Sequence, residues 1–107
     1  MTISTIACGC LGEAATTRIT RFAAEKDRSF ALADLTPGYA KHASRVERGI
    51  ALATGGRVLV QDEVEAPKAV DLWWFMHTEA TPRLEGDERR VVLRQGDRHL
   101  VAQILAP

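Results

Sequence analysis

An all-β fold, an antiparallel β-sandwich, is what this sequence predicts, with a small β-barrel as the alternative. Three observations point there. Apolar residues recur with a period of two rather than 3.6. Turn-forming clusters return about every eight to twelve residues. Residues 45–78 hold three strand-like runs punctuated by Thr54-Gly55-Gly56 and Ala66-Pro67. At 107 residues, 46% of them apolar, the chain reads as one domain over residues 1–107 that can bury a core without metal or disulfide staples.

The elements follow in order. Residues 16–23 alternate loosely, with Ile19 and Phe22 the strongest apolar positions, and run into the charged turn Glu25-Lys26-Asp27. Residues 29–35 return with Phe30, Leu32 and Asp34 on one face, completing a hairpin. Thr36-Pro37-Gly38 breaks that strand. Pro37 suits an early helical position, where its fixed φ helps and its missing N–H costs little. Residues 39–43 then make a single helical turn or an irregular connection. In the next strand Val46, Arg48, Ile50 and Leu52 share one face, and Arg45, Glu47 and Ala51 the other. Gly55-Gly56 supplies the positive φ values of a two-residue hairpin turn, and residues 57–63 return antiparallel, with Val58 and Val60 opposed to Leu59.

Residues 70–77 are apolar on both faces: Val70, Leu72, Trp74 and Met76 against Trp73, Phe75 and His77. A central strand buried on both sides is therefore expected, with truncation of Trp74 costing about 3–5 kcal/mol. A meander completes the chain, with strands over 80–84, 90–94 and 99–105 and turns over 85–88 and 95–98.

Charge narrows the function classes. Lys+Arg and Asp+Glu balance at 14 each and are interspersed, which leaves no electrostatic footprint for nucleic acid and no polybasic tail for a membrane. No apolar run reaches the ~18 residues needed to span a bilayer, and MTISTIACGC lacks the charged and apolar regions of a signal peptide. Cys8 and Cys10 flank a single glycine, a spacing that strains a disulfide and falls short of a zinc site, so free thiols are the plain reading.

Candidate chemistry is sparse. His42, His77 and His99 lie in three different elements; a three-histidine metal site would need them to converge, and no His-x-His pair is present. His77 alone reads most simply as a strand-end histidine satisfied by backbone or water. Tyr39, three residues before His42, could pair with it as general acid and base on a sugar, or cap a sheet end with its ring buried and its hydroxyl wet. Trp73 and Trp74 point to opposite faces of one strand; one belongs to the core, and the other stacks on a sugar ring or packs beneath a partner domain. Asp62, Glu63 and Glu65 cluster at a strand end without the defined separation that a catalytic carboxylate pair needs. No phosphate loop, nucleophile elbow or HExxH helix is present.

The segments Ala33-Asp-Leu-Thr-Pro-Gly-Tyr39, Val46-Glu-Arg-Gly-Ile50, Val58-Leu-Val-Gln-Asp-Glu-Val64 and Asp71-Leu-Trp-Trp-Phe-Met-His-Thr78 come in an order that resembles the C-terminal β-sheet region of heparinase II/III-like proteins, a family of polysaccharide lyases. The resemblance covers roughly residues 20–105 and rests mostly on strand patterns. It implies a periplasmic or secreted parent enzyme with an N-terminal helical domain, cleaving acidic, uronate-containing polysaccharides by β-elimination. Such a reaction needs a base at C5, donors that neutralise the carboxylate, and an acid for the departing oxygen.

The family's catalytic tyrosine belongs to the helical domain, and its β-region histidine to a His-x-Asp motif that does not occur here. No catalytic assignment is therefore carried over, and no metal or cofactor is expected. The chain is expected to be the β-sandwich portion of such a lyase, inactive alone, with a carbohydrate-binding module as the alternative. Tyr39, His42, Arg45, Arg48, Trp73 and His77 are the candidate substrate-binding residues. The expected partners are an acidic polysaccharide and the parent's helical domain, with self-association through exposed sheet edges.

Overall fold

The computed structural model describes residues 16–105, which fall into two units, one ending at Phe75 and one beginning at Met76. The expected all-β class is what the structure shows. Seven strands and one helical turn make up the regular structure among the described residues, and the strands form two antiparallel sheets, neither closed into a barrel. Cys8 and Cys10 lie outside the described residues.

The first unit is a four-stranded meander in the order β1-β2-β3-β4, built from β1 (Arg18–Ala24), β2 (Arg28–Asp34), β3 (Arg45–Ala53) and β4 (Arg57–Glu65). The expected first hairpin is present, with Ala24 opposite Ser29 and the charged turn closed by a 3.1 Å bond from the Glu25 N–H to the Arg28 carbonyl. A bulge between Ile19 and Arg21 shifts the register and leaves Thr20 to donate its hydroxyl to the Leu32 carbonyl. Between β2 and β3 the helical turn α1 (Thr36–Tyr39) starts earlier than expected, with Pro37 in the early helical position that suits it.

The β3–β4 hairpin differs from expectation by one residue. Ala53 pairs with Arg57, so Thr54, Gly55 and Gly56 form a three-residue loop rather than a two-residue turn. Both glycines have positive φ, +82° and +71°, which explains the Gly-Gly pair in either geometry. The difference matters because it sets every cross-strand partner. Arg48 is brought opposite Asp62, whereas a two-residue turn would have brought it opposite Glu63.

Packing in this unit concentrates at one end of the sheet. Ala43 and Val46 are buried, and Leu35, Tyr39, Val64 and Ala66 pack against them. Val46 is 1% exposed; sealing such a side chain contributes about 1.5–3 kcal/mol. Farther along, the face that carries Val46 is open. Register places Ile19 and Phe22 of β1, Ile50 and Leu52 of β3, and Val58 and Val60 of β4 on that face, and all six are 41–70% exposed.

Residues 70–77 correct the expectation of a central, doubly buried strand. No strand forms between β4 and β5, and Trp73 and Trp74 are 61% and 43% exposed. Apolar character on both faces signals a segment suited to burial, but a strand also needs a neighbouring edge to bond. None of the ladders among the described residues takes this segment as a member.

The second unit holds β5 (Thr81–Glu85), β6 (Arg90–Gln95) and β7 (Arg98–Gln103) in the order β5-β6-β7. Its two turns fall where the sequence places them. Gly86 and Gly96 take φ of +66° and +63°, and Gln95 pairs with Arg98 across the two-residue turn Gly96-Asp97. Leu93 on the middle strand is the buried hydrophobic residue of this unit.

Candidate functional site

The end of the first sheet that holds Val46 also holds the densest polar network among the described residues, and it starts from Thr36. Its backbone N–H donates to Asp34 Oδ1 at 3.0 Å, a turn that Asp residues favour because the side chain imitates a backbone acceptor. The Thr36 hydroxyl accepts the Val46 N–H at 3.0 Å and lies 3.4 Å from the Val46 carbonyl, which also accepts the Leu35 N–H at 2.9 Å. One threonine thus satisfies both backbone groups of the most buried side chain, where an unpaired group would be costly. The Thr36 hydroxyl and N–H, followed by the charges of Arg18 and Arg45, outweigh desolvation and hold the Asp34 carboxyl below its ordinary pKa.

Two of the candidate residues, Arg45 and Arg48, lie on opposite faces of β3 and both are already engaged. Arg48 grips its cross-strand partner Asp62 with both forks, Nε to Oδ1 at 2.7 Å and Nη2 to Oδ2 at 2.8 Å. The Asp62 side chain is 1% exposed against 32% for Arg48, so the carboxylate is sealed beneath the guanidinium. The hydrogen bond to Asp62 raises the Arg48 pKa against the cost of burial, with the Asp62 charge and Tyr39 adding to the effect. Arg45 meets Glu47 at 3.2 Å, Glu63 at 3.3 Å and Glu65 at 3.4 Å. Glu47 is the largest cause of its raised pKa. These contacts are half in water, where each ion pair is worth about 0–1 kcal/mol.

The remaining candidates are distributed differently. Tyr39 ends α1 and packs against the Ala43–Val46 cluster, in keeping with the sheet-capping role. His42 follows in the turn with its N–H on the Tyr39 carbonyl at 2.9 Å, and its side chain is exposed. Trp73 lies outside regular structure, its ring stacked on Phe75 at 6.5 Å between centroids and 10° between planes. Two rings at i and i+2 on one side are what an extended backbone produces. His77 is exposed in the second unit. Tyr39 and Arg48 are therefore brought together, and Arg45 is kept apart from them by the thickness of the sheet.

Sequence reasoning gave Asp62 no role as a partner. The two-residue turn read from Gly55-Gly56 faces Arg48 with Glu63; only the three-residue loop of the structure names Asp62 as its partner. In the sequence Thr36 stands out only as part of the Thr36-Pro37-Gly38 strand break. Among the described residues no three His, Cys, Asp or Glu side chains group as metal ligands would.

Comparison with protein-family models, with curated proteins and with solved structures finds no match to this chain.

Proposed function

We propose that this chain is the non-catalytic β-sheet portion of a heparinase II/III-like polysaccharide lyase, framing a site whose acid and base come from elsewhere in the parent enzyme. One observation carries this reading beyond the sequence resemblance. The first sheet leaves Ile19, Phe22, Ile50, Leu52, Val58 and Val60 exposed on a single face. Patches of this kind mark surfaces made to be covered, and a further β-layer of the parent is the kind of element that packs on a sheet face. The arginines support the same view. Arg48 is committed to Asp62, and Arg45 to three glutamates, so both act first as structural ties.

The reading is tested by incubating the folded chain with heparin, heparan sulfate, alginate and hyaluronan while following the absorbance of the unsaturated uronate product. No rise is expected. A rise would overturn the non-catalytic reading and make Tyr39 and His42 the first residues to substitute.

A second reading, a carbohydrate-binding module, is favoured by the exposed Trp73–Phe75 stack, since a flat aromatic surface suits the C–H face of a sugar ring. Quenching of tryptophan emission by oligosaccharide, lost in Trp73→Ala, would support it; emission indifferent to every sugar would count against it.

A further inference from the structure

The strands of the second unit gather positive charge on one face of a chain whose overall charge is zero. Cross-strand register sets Thr81 beside Arg94 and His99, Arg83 beside Val92 and Val101, and Glu85 beside Arg90 and Gln103. Three guanidiniums therefore share this face with one carboxylate. Glu85 is engaged by Arg83 at 2.8 Å and by Arg90 at 3.4 Å. Arg94 has no ion pair among the described residues, Asp97 of the neighbouring turn included. Arg83 and Arg94 are diagonal neighbours, about 7–8 Å apart at the backbone, within reach of each other for long side chains and so of one shared anion.

Something could lie there. Arg83, Arg94, Val92, Thr81 and Gly96 line an open depression of about 400 Å³. Val92 gives it an apolar floor and Thr81 a hydroxyl at its edge. At Gly96 nothing stands within 4 Å of where a side chain would begin, so that side stays clear. A guanidinium presents a planar fork that matches a carboxylate bond for bond.

From this arrangement we propose that the Arg83–Val92–Arg94 face is a binding site for a small carboxylate whose carbon skeleton lies on Val92. Arg94 supplies the two-pronged contact, Arg83 shares its charge between the ligand and Glu85, and the Thr81 hydroxyl orients the second oxygen. The ligand class is an organic carboxylate with a C–H face that lies on one valine, butyrate being the simplest probe and glucuronate a larger one. The site is independent of the lyase-like reading and of the Trp73 stack.

The test is a titration of the full chain, followed by backbone amide NMR shifts, with glucuronate, with butyrate and with inorganic phosphate. Glucuronate is expected to shift the amides of residues 81–83 and 92–96, with an affinity that falls as salt rises. Arg94→Ala should weaken it about tenfold, the scale of a lost charge-assisted bond, while Arg57→Ala, in the other unit, leaves it unchanged. Both substitutions fall on exposed side chains, so unaltered spectra elsewhere verify the fold. Butyrate is expected to shift the same amides, since a carboxylate on an apolar floor is all that the site requires; butyrate without effect would overturn the assignment. Phosphate binding as well as glucuronate would overturn the assignment to carboxylates, and shifts that persist in Arg94→Ala would overturn the site. Binding that is insensitive to Arg94→Ala but lost in Trp73→Ala would overturn this site while leaving the carbohydrate-binding reading intact.

Discussion

Arg48 and Asp62 face each other across β3 and β4 with two bonds of 2.7 and 2.8 Å, and the carboxylate is 1% exposed. Their pairing ties the open apolar face to the packed end of the sheet. Removing the guanidinium leaves a buried acceptor without its strongest donor, which costs about 1.5–3 kcal/mol for hydrogen bonds to charged groups. Arg48→Ala should lower the midpoint of urea unfolding accordingly, with Arg48→Lys recovering only part of the loss because it cannot supply the fork. An unchanged midpoint would show that the pair contributes nothing.

Thr36 offers a sharper test of the packed end. Thr36→Val keeps the volume and removes the hydroxyl that accepts the Val46 N–H at 3.0 Å. An N–H left unsatisfied in a buried position costs about 1–3 kcal/mol. Faster amide exchange at Val46 should accompany the loss of stability; exchange as slow as in the parent chain would mean that another acceptor replaces the hydroxyl.

Asp34 gives the pH dependence its sign. Its carboxyl is held below the ordinary value of 3.8 by Thr36 first, and by Arg18 and Arg45. The folded state therefore binds the proton less readily than the unfolded one. This contribution is fully present above the unfolded pKa and disappears as pH falls through the lower folded value. An NMR titration of Asp34 should give a midpoint under 3.8, and Asp34→Asn should flatten the acid limb of stability. A midpoint at or above the ordinary value would contradict the turn described at Thr36.

Trp74 separates the sequence expectation from the structure. A doubly buried strand would make Trp74→Ala cost about 3–5 kcal/mol, whereas a side chain 43% exposed outside any ladder forfeits far less. The melting temperature of Trp74→Ala should stay close to that of the parent chain. A collapse of the melt would restore the buried strand.

Much of the fold was legible in the sequence because period-two alternation and glycine turns are local signals. The β1–β2 hairpin, the Gly96-Asp97 turn and the face shared by Val46, Arg48, Ile50 and Leu52 all follow from neighbours in the chain. Residues 70–77 were not legible, because hydrophobicity states a preference for burial and says nothing of where the partner edge lies. The candidate site was half legible. Tyr39 and Arg48 were singled out by type, but the partner that occupies Arg48 depends on one residue of loop length between Ala53 and Arg57. The cationic face of the second unit was hidden for a different reason. Arg83 and Arg94 are eleven positions apart, and only the strand register sets them side by side.

Sedimentation velocity over a range of concentrations tests most directly whether the open face of the first sheet is a surface made to be covered. If that face is made to be covered from outside the chain, the chain alone should associate as concentration rises. The double substitution Leu52→Lys with Val58→Glu, a cross-strand pair on that face, should return it to a monomer with its melt preserved. A parent chain that stays monomeric throughout, with no change on introducing the two charges, would contradict the role proposed for this sheet.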